Sequence, residues 1–220
     1  MIAINPDKLN SKELFELVAR AKAKHNFKTI IIHWTSSDYD TIFEDYHLNV
    51  GRDGTIYKTC WSFNELKSHT KRNNKDTIGI ALDCGLAAEY RSLNRIFFGT
   101  CPPTPEQITS VVWLIAIICY YLGMEVNCKT VKTHFELAIS EGYGPGSGDD
   151  QSRWDLAKLP ATAIPRELSK EAGISKSSLG GTIIRDLAEY CYQKLVSKNR
   201  KEVCISRGDN EDFEQIQLAL

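Results

Sequence analysis

The chain has 220 residues, of which 42% are hydrophobic and 25% charged, and its formal net charge is −1. This length supports one well-buried domain with some tens of residues to spare, and the composition excludes a disordered or fibrous protein. The balanced charge gives no reason to expect a nucleic-acid partner.

Cysteine usage and the first residues bear on where the protein folds. There are seven cysteines, an odd number, with no CxxC pair and no zinc-ribbon spacing, so at least one thiol is free in a monomer and a reducing compartment fits best. The N-terminus has no basic stretch followed by an apolar core. We therefore expect no secretory signal peptide and a protein that is cytoplasmic at synthesis.

The first elements are a helix and a strand. Asn10 and Glu13 have the spacing of a capping box, and apolar residues then recur at helical intervals, which predicts an amphipathic helix over residues 11–25. Residues 27–33 form a β-branched run that ends in His33. This run predicts a central strand buried on both faces, with His33 at its end.

A hairpin and a further strand follow. Residues 46–50 and 55–59 flank the turn sequence from Gly51 to Gly54, and an Asp-Gly pair between two alternating segments indicates a β-hairpin. Residues 77–82 give another strand. Together these segments predict a mixed sheet.

The long central helix is marked at both ends. Thr104 stands as N-cap, Pro105 takes the first helical position, Gln107 completes a capping box, and Gly123 supplies the C-terminal stop. The helix is apolar on nearly every side, so it should be buried against the sheet. Its apolar run, residues 111–122, is shorter than the ~20 residues that cross a bilayer, and we expect no membrane insertion.

Residues 126–134 predict a short strand that leads to His134. The glycine-rich segment 142–148 that follows lacks the lysine and hydroxyl ending of a phosphate-binding loop, and its glycine spacing is not that of a dinucleotide-binding loop. A lid or entry loop beside the functional site is the better interpretation.

The sequence changes character near residue 160. Pro160 and Pro165 mark a junction, and residues 182–196 predict an amphipathic helix. We therefore divide the chain into a main domain, 1–160, and a mainly helical C-terminal extension, 161–220, for packing or targeting. Residues 168–179 resemble the turn of a helix-turn-helix, but Gly180 and Gly181 would fall in its recognition helix and few arginines are present, so we expect no nucleic acid.

Five short motifs in order resemble the type-2 N-acetylmuramoyl-L-alanine amidases, which include T7-lysozyme-like enzymes and peptidoglycan recognition proteins. These motifs are residues 30–36 around His33, residues 46–57 from Tyr46, His69 with Asn73 and Asn74 before residues 77–80, residues 104–107, and Thr133 with His134. The likeness runs from about residue 28 to about residue 160. It implies an α/β fold with a central mixed β-sheet flanked by helices and a zinc cleft at one sheet edge.

The resemblance also implies roles for single residues. Two histidines and a cysteine or aspartate bind Zn2+ in such proteins, which assigns His33 and His134 as metal ligands. Asp155 fits as the third ligand, with Arg153 in the place of a family lysine; Asp149 and Asp150 remain alternatives because the linker from His134 is longer than usual. This donor set leaves one position for water.

The remaining assignments concern the substrate. Tyr46 and Arg153 are the catalytic candidates, although Tyr46 could instead be a half-buried strand residue. His69, Trp34 and Asn74 are the substrate-binding candidates, and His69 and His47 are each a ligand-orienting or a plain surface residue. The general base stays open, because Ala81 stands where the cytoplasmic recycling amidases carry a glutamate.

The implied reaction is hydrolysis of the amide that joins the lactyl group of N-acetylmuramic acid to L-alanine in peptidoglycan or muropeptides. We expect a phage or prophage endolysin released by a holin, or an antibacterial effector injected by a secretion machine, acting on the cell wall after release. The alternatives are a cytoplasmic muropeptide-recycling amidase and a peptidoglycan-binding module without catalysis. The two histidines and Asp155 argue against the module, and Ala81 argues against the recycling enzyme.

Overall fold

The structure is a computed structural model that describes residues 2–24, 27–149, 152–174 and 179–205. Its strands are β1 (Ala3–Ile4), β2 (Thr29–Trp34), β3 (Ile42–Phe43), β4 (Leu48–Val50), β5 (Ile56–Lys58), β6 (Thr77–Leu82), β7 (Glu89–Ser92), β8 (Arg95–Phe97) and β9 (Val131–Thr133). Its α-helices are α1 (Ser11–Lys24), α2 (Pro105–Leu122), α3 (His134–Ser140), α4 (Arg166–Glu171) and α5 (Gly180–Ile205).

A five-stranded mixed sheet in the order β5-β4-β6-β2-β9 forms the centre of the protein. The strands β4, β6, β2 and β9 run parallel, and β5 closes the sheet as the antiparallel partner of β4 in the predicted hairpin. The predicted central mixed sheet with flanking helices is confirmed. In this register His33 of β2 lies opposite Ala81 of β6.

The two faces of the sheet differ because side chains alternate along each strand. One face carries aliphatic residues such as Ile30, Ile32 and Ile80, which are fully buried in one hydrophobic core together with α2. The other face carries buried polar residues, among them His33 and Thr77. A polar face that is nevertheless buried is the usual setting of a functional site rather than of a core.

The helix α2 begins and ends as its sequence signals predict. Thr104 and Gln107 form a complete capping box, and Gly123 ends the helix in the left-handed conformation with φ 69°. By length and composition alone α2 is the one helix among the described residues that could cross a membrane. Most of its side chains, however, are buried between the sheet and its neighbouring helices, so it is the core helix that the sequence predicts.

The strand before His134 is shorter than predicted. It covers Val131–Thr133 only, because the Asn127 side chain accepts hydrogen bonds from the amides of Lys129 and Thr130 and holds the preceding residues in a turn. His134 is the first residue of α3 rather than the last of a strand. Thr133 caps this helix, so β9 passes directly into it.

The C-terminal residues complete the packing of the sheet. The helix α5 starts two residues before the predicted 182–196 helix and runs to Ile205, and it packs against α2 and β9. Ile183, Ile184 and Leu187 of α5 belong to the same hydrophobic core as the sheet. The division into domains at residue 160 stays a prediction, and part of the helix-turn-helix-like segment, residues 175–178, lies outside the described residues.

Candidate metal centre

Three side chains from distant parts of the chain meet at one end of the sheet. His33 lies near the end of β2, His134 begins α3, and Asp155 lies in the loop that follows. The Nδ1 atoms of the two histidines are 3.0 Å apart, and Asp155 Oδ2 lies 3.5 Å from His33 Nδ1 and 3.2 Å from His134 Nδ1. All three residues are buried, and their ligand atoms form the one such cluster found among the described residues.

This triangle of atoms fits a tetrahedral metal ion. Bonds of about 2.0 to 2.2 Å at tetrahedral angles need donor atoms about 3.3 to 3.6 Å apart, close to the 3.0, 3.2 and 3.5 Å found here. Two imidazoles and a carboxylate are also a usual donor set for zinc. The residues present therefore fit a divalent ion that leaves a fourth position open.

A chain of hydrogen bonds fixes the tautomer of His33. The Thr77 hydroxyl lies 2.8 Å from the Asn73 carbonyl, which can only accept, so Thr77 donates there and must accept from His69 Nε2 at 3.2 Å. His69 Nδ1 then carries no proton and accepts from His33 Nε2 at 3.0 Å. His33 Nδ1 is consequently left with a free lone pair that faces the other two ligand atoms.

Sequence reasoning did not identify Thr77 or Gly79 as part of the site. A Cβ atom at Gly79 would lie 2.7 to 2.9 Å from the His69 ring, so the glycine makes room for that ring against the sheet. Glycine inside a strand is a known sign of such a close approach, and this signal was present in the sequence. Nothing local marks Thr77, whose role depends on where residues 69 and 73 fold.

Burial and charge keep His33 and Asp155 in the protonation states that a metal needs. Burial lowers the pKa of His33 to about 4 against the opposing effect of Asp155, and burial also lowers the pKa of His69 well below its usual value. Burial alone would raise the pKa of Asp155, but the His134 and His33 rings overcome it and hold that pKa below its usual value. Neutral imidazoles and an ionised carboxylate are the forms that bind zinc.

The structure describes two of the three candidates for the third ligand, and it brings Asp155 and not Asp149 to the histidines. Asp155 joins the two histidines, whereas Asp149 pairs with Lys71 at 2.5 Å. Asp150 lies outside the described residues. The backbone supports the choice of Asp155, because its carbonyl accepts a hydrogen bond from the Phe135 amide and ties it to the residue after His134.

A cleft of about 320 Å³ opens next to the three ligands. It is lined by Trp34, Thr35, Ser36, Asp45, Tyr46, Ser68, His69, His134, Ser152, Arg153, Trp154 and Asp155. The Tyr46 ring lies 5.1 Å from the His33 ring, and burial, followed by the charge of Asp155, raises the pKa of its phenol, which therefore stays protonated. Arg153 is exposed at the cleft surface, where it brings a positive charge to the site.

Of the other predicted substrate-binding residues, Trp34 lines the cleft and Asn74 does not. Trp34 lines the cleft but is only 3% exposed and packs edge to face against Trp154 at 4.8 Å. Asn74 is not among the described residues that line the cleft; its carboxamide instead accepts hydrogen bonds from the Thr70 amide and hydroxyl, within the loop that carries His69. The catalytic and substrate roles of these residues stay predictions.

His47 is structural. Its Nδ1 accepts from the Gly79 amide at 3.0 Å and its Nε2 donates to the Glu65 carbonyl at 2.9 Å, so both ring nitrogens are used. The histidine ties β4 to β6 and to the loop after β5. His47 is fully buried, so it is not a surface residue. Its ring packs against the His69 ring, which lies between His47 and the metal ligands.

An α/β sheet that brings two histidines and an aspartate to an open cleft is the arrangement of a metal-dependent hydrolase. Comparison with protein families gives the narrower class: residues 23–153 match the model of the N-acetylmuramoyl-L-alanine amidase family. The match covers more than half of the chain, and the protein belongs to this family of peptidoglycan amidases. No curated protein matches the sequence at a significant level. The matched range includes His33 and His134 and ends two residues before Asp155.

Proposed function

We propose that the protein is a zinc-dependent amidase that hydrolyses the bond between the lactyl group of N-acetylmuramic acid and L-alanine in peptidoglycan. One observation carries the zinc assignment: His33 Nδ1, His134 Nδ1 and Asp155 Oδ2 lie within 3.5 Å of one another, buried beside an open cleft. Family membership supports the substrate class, since these amidases act on peptidoglycan.

The protein side of the mechanism follows from the groups around the cleft. Zinc, when bound, supplies a Lewis acid for the scissile carbonyl and an activated water. His69 and Thr77 hold His33 in the tautomer that presents Nδ1 to the ion. The cleft wall, which includes Trp34 and Trp154, restricts the volume in which the substrate amide lies.

Two residues can stabilise the charge that develops on the amide oxygen. Burial raises the pKa of Tyr46, so its phenol is protonated at neutral pH and its hydroxyl carries a proton that it can donate. Arg153 brings a permanent positive charge to the cleft. Donors placed near a developing oxyanion account for a large part of the rate enhancement of hydrolases.

The position of Ala81 separates the two enzymatic alternatives. Ala81 lies directly opposite His33 in the sheet, where a glutamate would face the metal ligands. The T7-like arrangement without that carboxylate is therefore favoured over that of a recycling amidase. The complete set of His33, His134 and Asp155 likewise argues against a binding module that has lost its zinc.

For the biological role, we infer synthesis in the cytoplasm followed by delivery to the wall, as an endolysin that depends on a holin or as an effector that depends on a secretion machine. All six cysteines whose side chains are described are free thiols, and four of them are buried, which suits folding in a reducing compartment.

The zinc assignment is tested by His134→Ala. We expect this variant to lose both zinc, measured by elemental analysis, and lysis, measured as turbidity loss of purified sacculi. Asp155→Ala should behave in the same way, because it removes the third ligand, and Asp149→Ala is the matched control that should keep both. Cleavage by metal-free protein, or a loss of zinc in Asp149→Ala alone, would exclude the proposed site.

The substrate assignment needs a separate comparison. We expect the wild-type protein to release L-alanyl peptides from intact sacculi faster than from soluble anhydromuropeptides. A preference for the soluble substrate would indicate the recycling enzyme. Zinc binding with tight sacculus binding but no peptide release would indicate a binding module.

A further inference from the structure

The first two turns of α5 contact the segments that carry two of the metal ligands, and they lie outside the range that matches the family. Gly180 and Gly181 begin this helix and both are buried. The Gly180 amide donates to the Ala157 carbonyl at 3.2 Å, and Leu179 forms an isolated antiparallel bridge with Lys158. The start of α5 is thus bonded to the segment that immediately follows Asp155.

Gly181 and Arg185 hold the helix that begins at His134. The Glu136 carboxylate accepts two hydrogen bonds from the Arg185 guanidinium, at 2.7 and 2.8 Å, and a third from the Thr133 amide at 3.0 Å. A Cβ atom at Gly181 would lie 2.3 to 2.4 Å from this carboxylate. Only glycine lets the carboxylate rest against the N-terminal end of α5, where the helix dipole favours negative charge.

Arg185 also fixes the strand on the other side of His134. Its Nη1 donates to the Val131 carbonyl at 3.1 Å, so one guanidinium joins β9 to the first turn of α3. A bidentate guanidinium and carboxylate pair has a defined geometry as well as a favourable energy. Thr133 and His134 therefore sit between two groups that Arg185 holds in place.

The backbone of Gly180 lies in close contact with the residue after Asp155. Leu156 has a φ of 57°, a left-handed conformation that a leucine adopts only when its surroundings impose it. A Cβ atom at Gly180 would lie 2.1 Å from the Leu156 carbonyl oxygen, and the Leu156 side chain is fully buried in the core. The strained residue next to the ligand is thus packed closely against the Gly180 backbone, and its side chain is fixed in the core.

We propose that the first two turns of α5 position two of the three metal ligands: Arg185 and Gly181 act through Glu136 on His134, and Gly180 acts through Leu156 and Ala157 on Asp155. This inference rests on the proposed zinc amidase function. Groups that orient metal ligands typically change metal affinity about 10- to 100-fold when they are removed. The proposed positioning of ligands by α5 gives the C-terminal extension a role, although the extension lies outside the residues that match the family.

The test measures zinc affinity by chelator competition and the visible spectrum of the Co2+-substituted protein, which reports ligand geometry independently of activity. We expect Arg185→Gln to bind zinc about 10-fold more weakly and to show an altered Co2+ spectrum. Lys194→Gln is the matched control. It breaks the exposed ion pair between Lys194 of the same helix and Glu171, which has no link to a ligand, and it should leave both readouts unchanged.

Equal zinc affinity and equal Co2+ spectra for Arg185→Gln and Lys194→Gln would overturn the inference. If Arg185→Gln fails to fold, the inference is tested with Arg185→Lys, because lysine keeps the charge and loses the bidentate contact. A wild-type zinc affinity in Arg185→Lys would also overturn the inference. Gly181→Ala, which displaces the Glu136 carboxylate, should weaken zinc binding in the same direction. A wild-type protein that binds no zinc overturns both the inference and the proposed function, whereas zinc-binding wild type with unchanged variants overturns the inference alone.

Discussion

At the scale of single residues, the hydroxyl of Thr77 decides which nitrogen of His33 faces the metal. Thr77→Val keeps the shape of the side chain but removes the acceptor for His69 Nε2, so His69 can move its proton to Nδ1. His33 would then lose its acceptor and favour a proton on the Nδ1 ligand atom. We expect zinc affinity to fall by about 10-fold or more in a chelator competition.

The control for this prediction is Thr77→Ser, which restores a hydroxyl at the same position and should keep near wild-type zinc affinity. The valine variant also leaves a buried ring nitrogen of His69 without a hydrogen-bond partner, at a cost of about 1 to 3 kcal/mol in unfolding free energy. A valine variant that is less stable but binds zinc like the serine variant would show that Thr77 serves the fold only.

Arg153 is expected to act on the reaction rather than on the metal. It lines the cleft without belonging to the cluster of ligand atoms. Arg153→Ala should lower turnover on sacculi by a factor on the order of 10², as the loss of one oxyanion donor typically does, while zinc content stays at the wild-type level. Arg153→Lys, which keeps the charge, should retain part of the activity. Unchanged turnover in the alanine variant would remove Arg153 from the site.

At the scale of elements, α1, α2, α5 and the β4–β5 hairpin were predictable because their signals are local, whereas α3 and α4 were not predicted. The capping boxes of α1 and α2 each lie within four residues, and both form as the sequence indicates. The length of β9 was not predictable in the same way, because the turn at Asn127 competes with extension of the strand. The two-residue pairing of β1 with β3 and the β7–β8 hairpin have no comparable signal in such short segments.

The site itself was predictable only through resemblance. No periodicity connects His33 with His134 and Asp155, since their convergence depends on the parallel order of β6, β2 and β9 and on the loop after α3. Their supports were missed for the same reason: Thr77 and Arg185 act through residues that are far away in the chain. Gly79 and the Gly180-Gly181 pair were missed too, although they carry a local signal, because glycine inside or at the start of an element marks close approach of other groups.

At the scale of the whole molecule, one buried carboxyl should make global stability depend on pH. Asp83 is fully buried at the end of β6, and neither of its carboxyl oxygens accepts a hydrogen bond from the described residues. Burial, with a smaller contribution from the charge of Asp38, raises the pKa of Asp83 from 3.8 to about 8. The carboxyl is therefore protonated in the folded protein at neutral pH and ionised in the unfolded chain.

The sign of the effect follows from proton binding. Below pH 3.8 both states hold the proton and Asp83 has no effect; between pH 3.8 and about 8 only the folded state holds it. In that window the contribution of Asp83 to the free energy of unfolding falls by about 1.4 kcal/mol for each pH unit, and above it the loss is constant. Asp83→Asn removes this ionisation. In urea titrations, the stability of the Asp83→Asn variant relative to wild type should therefore rise from pH 5 to pH 8. The control variant is Asp40→Asn, which also removes one negative charge, but at an exposed position. Parallel stability curves for wild type and Asp83→Asn across this window would mean that the carboxyl is not held neutral by the fold.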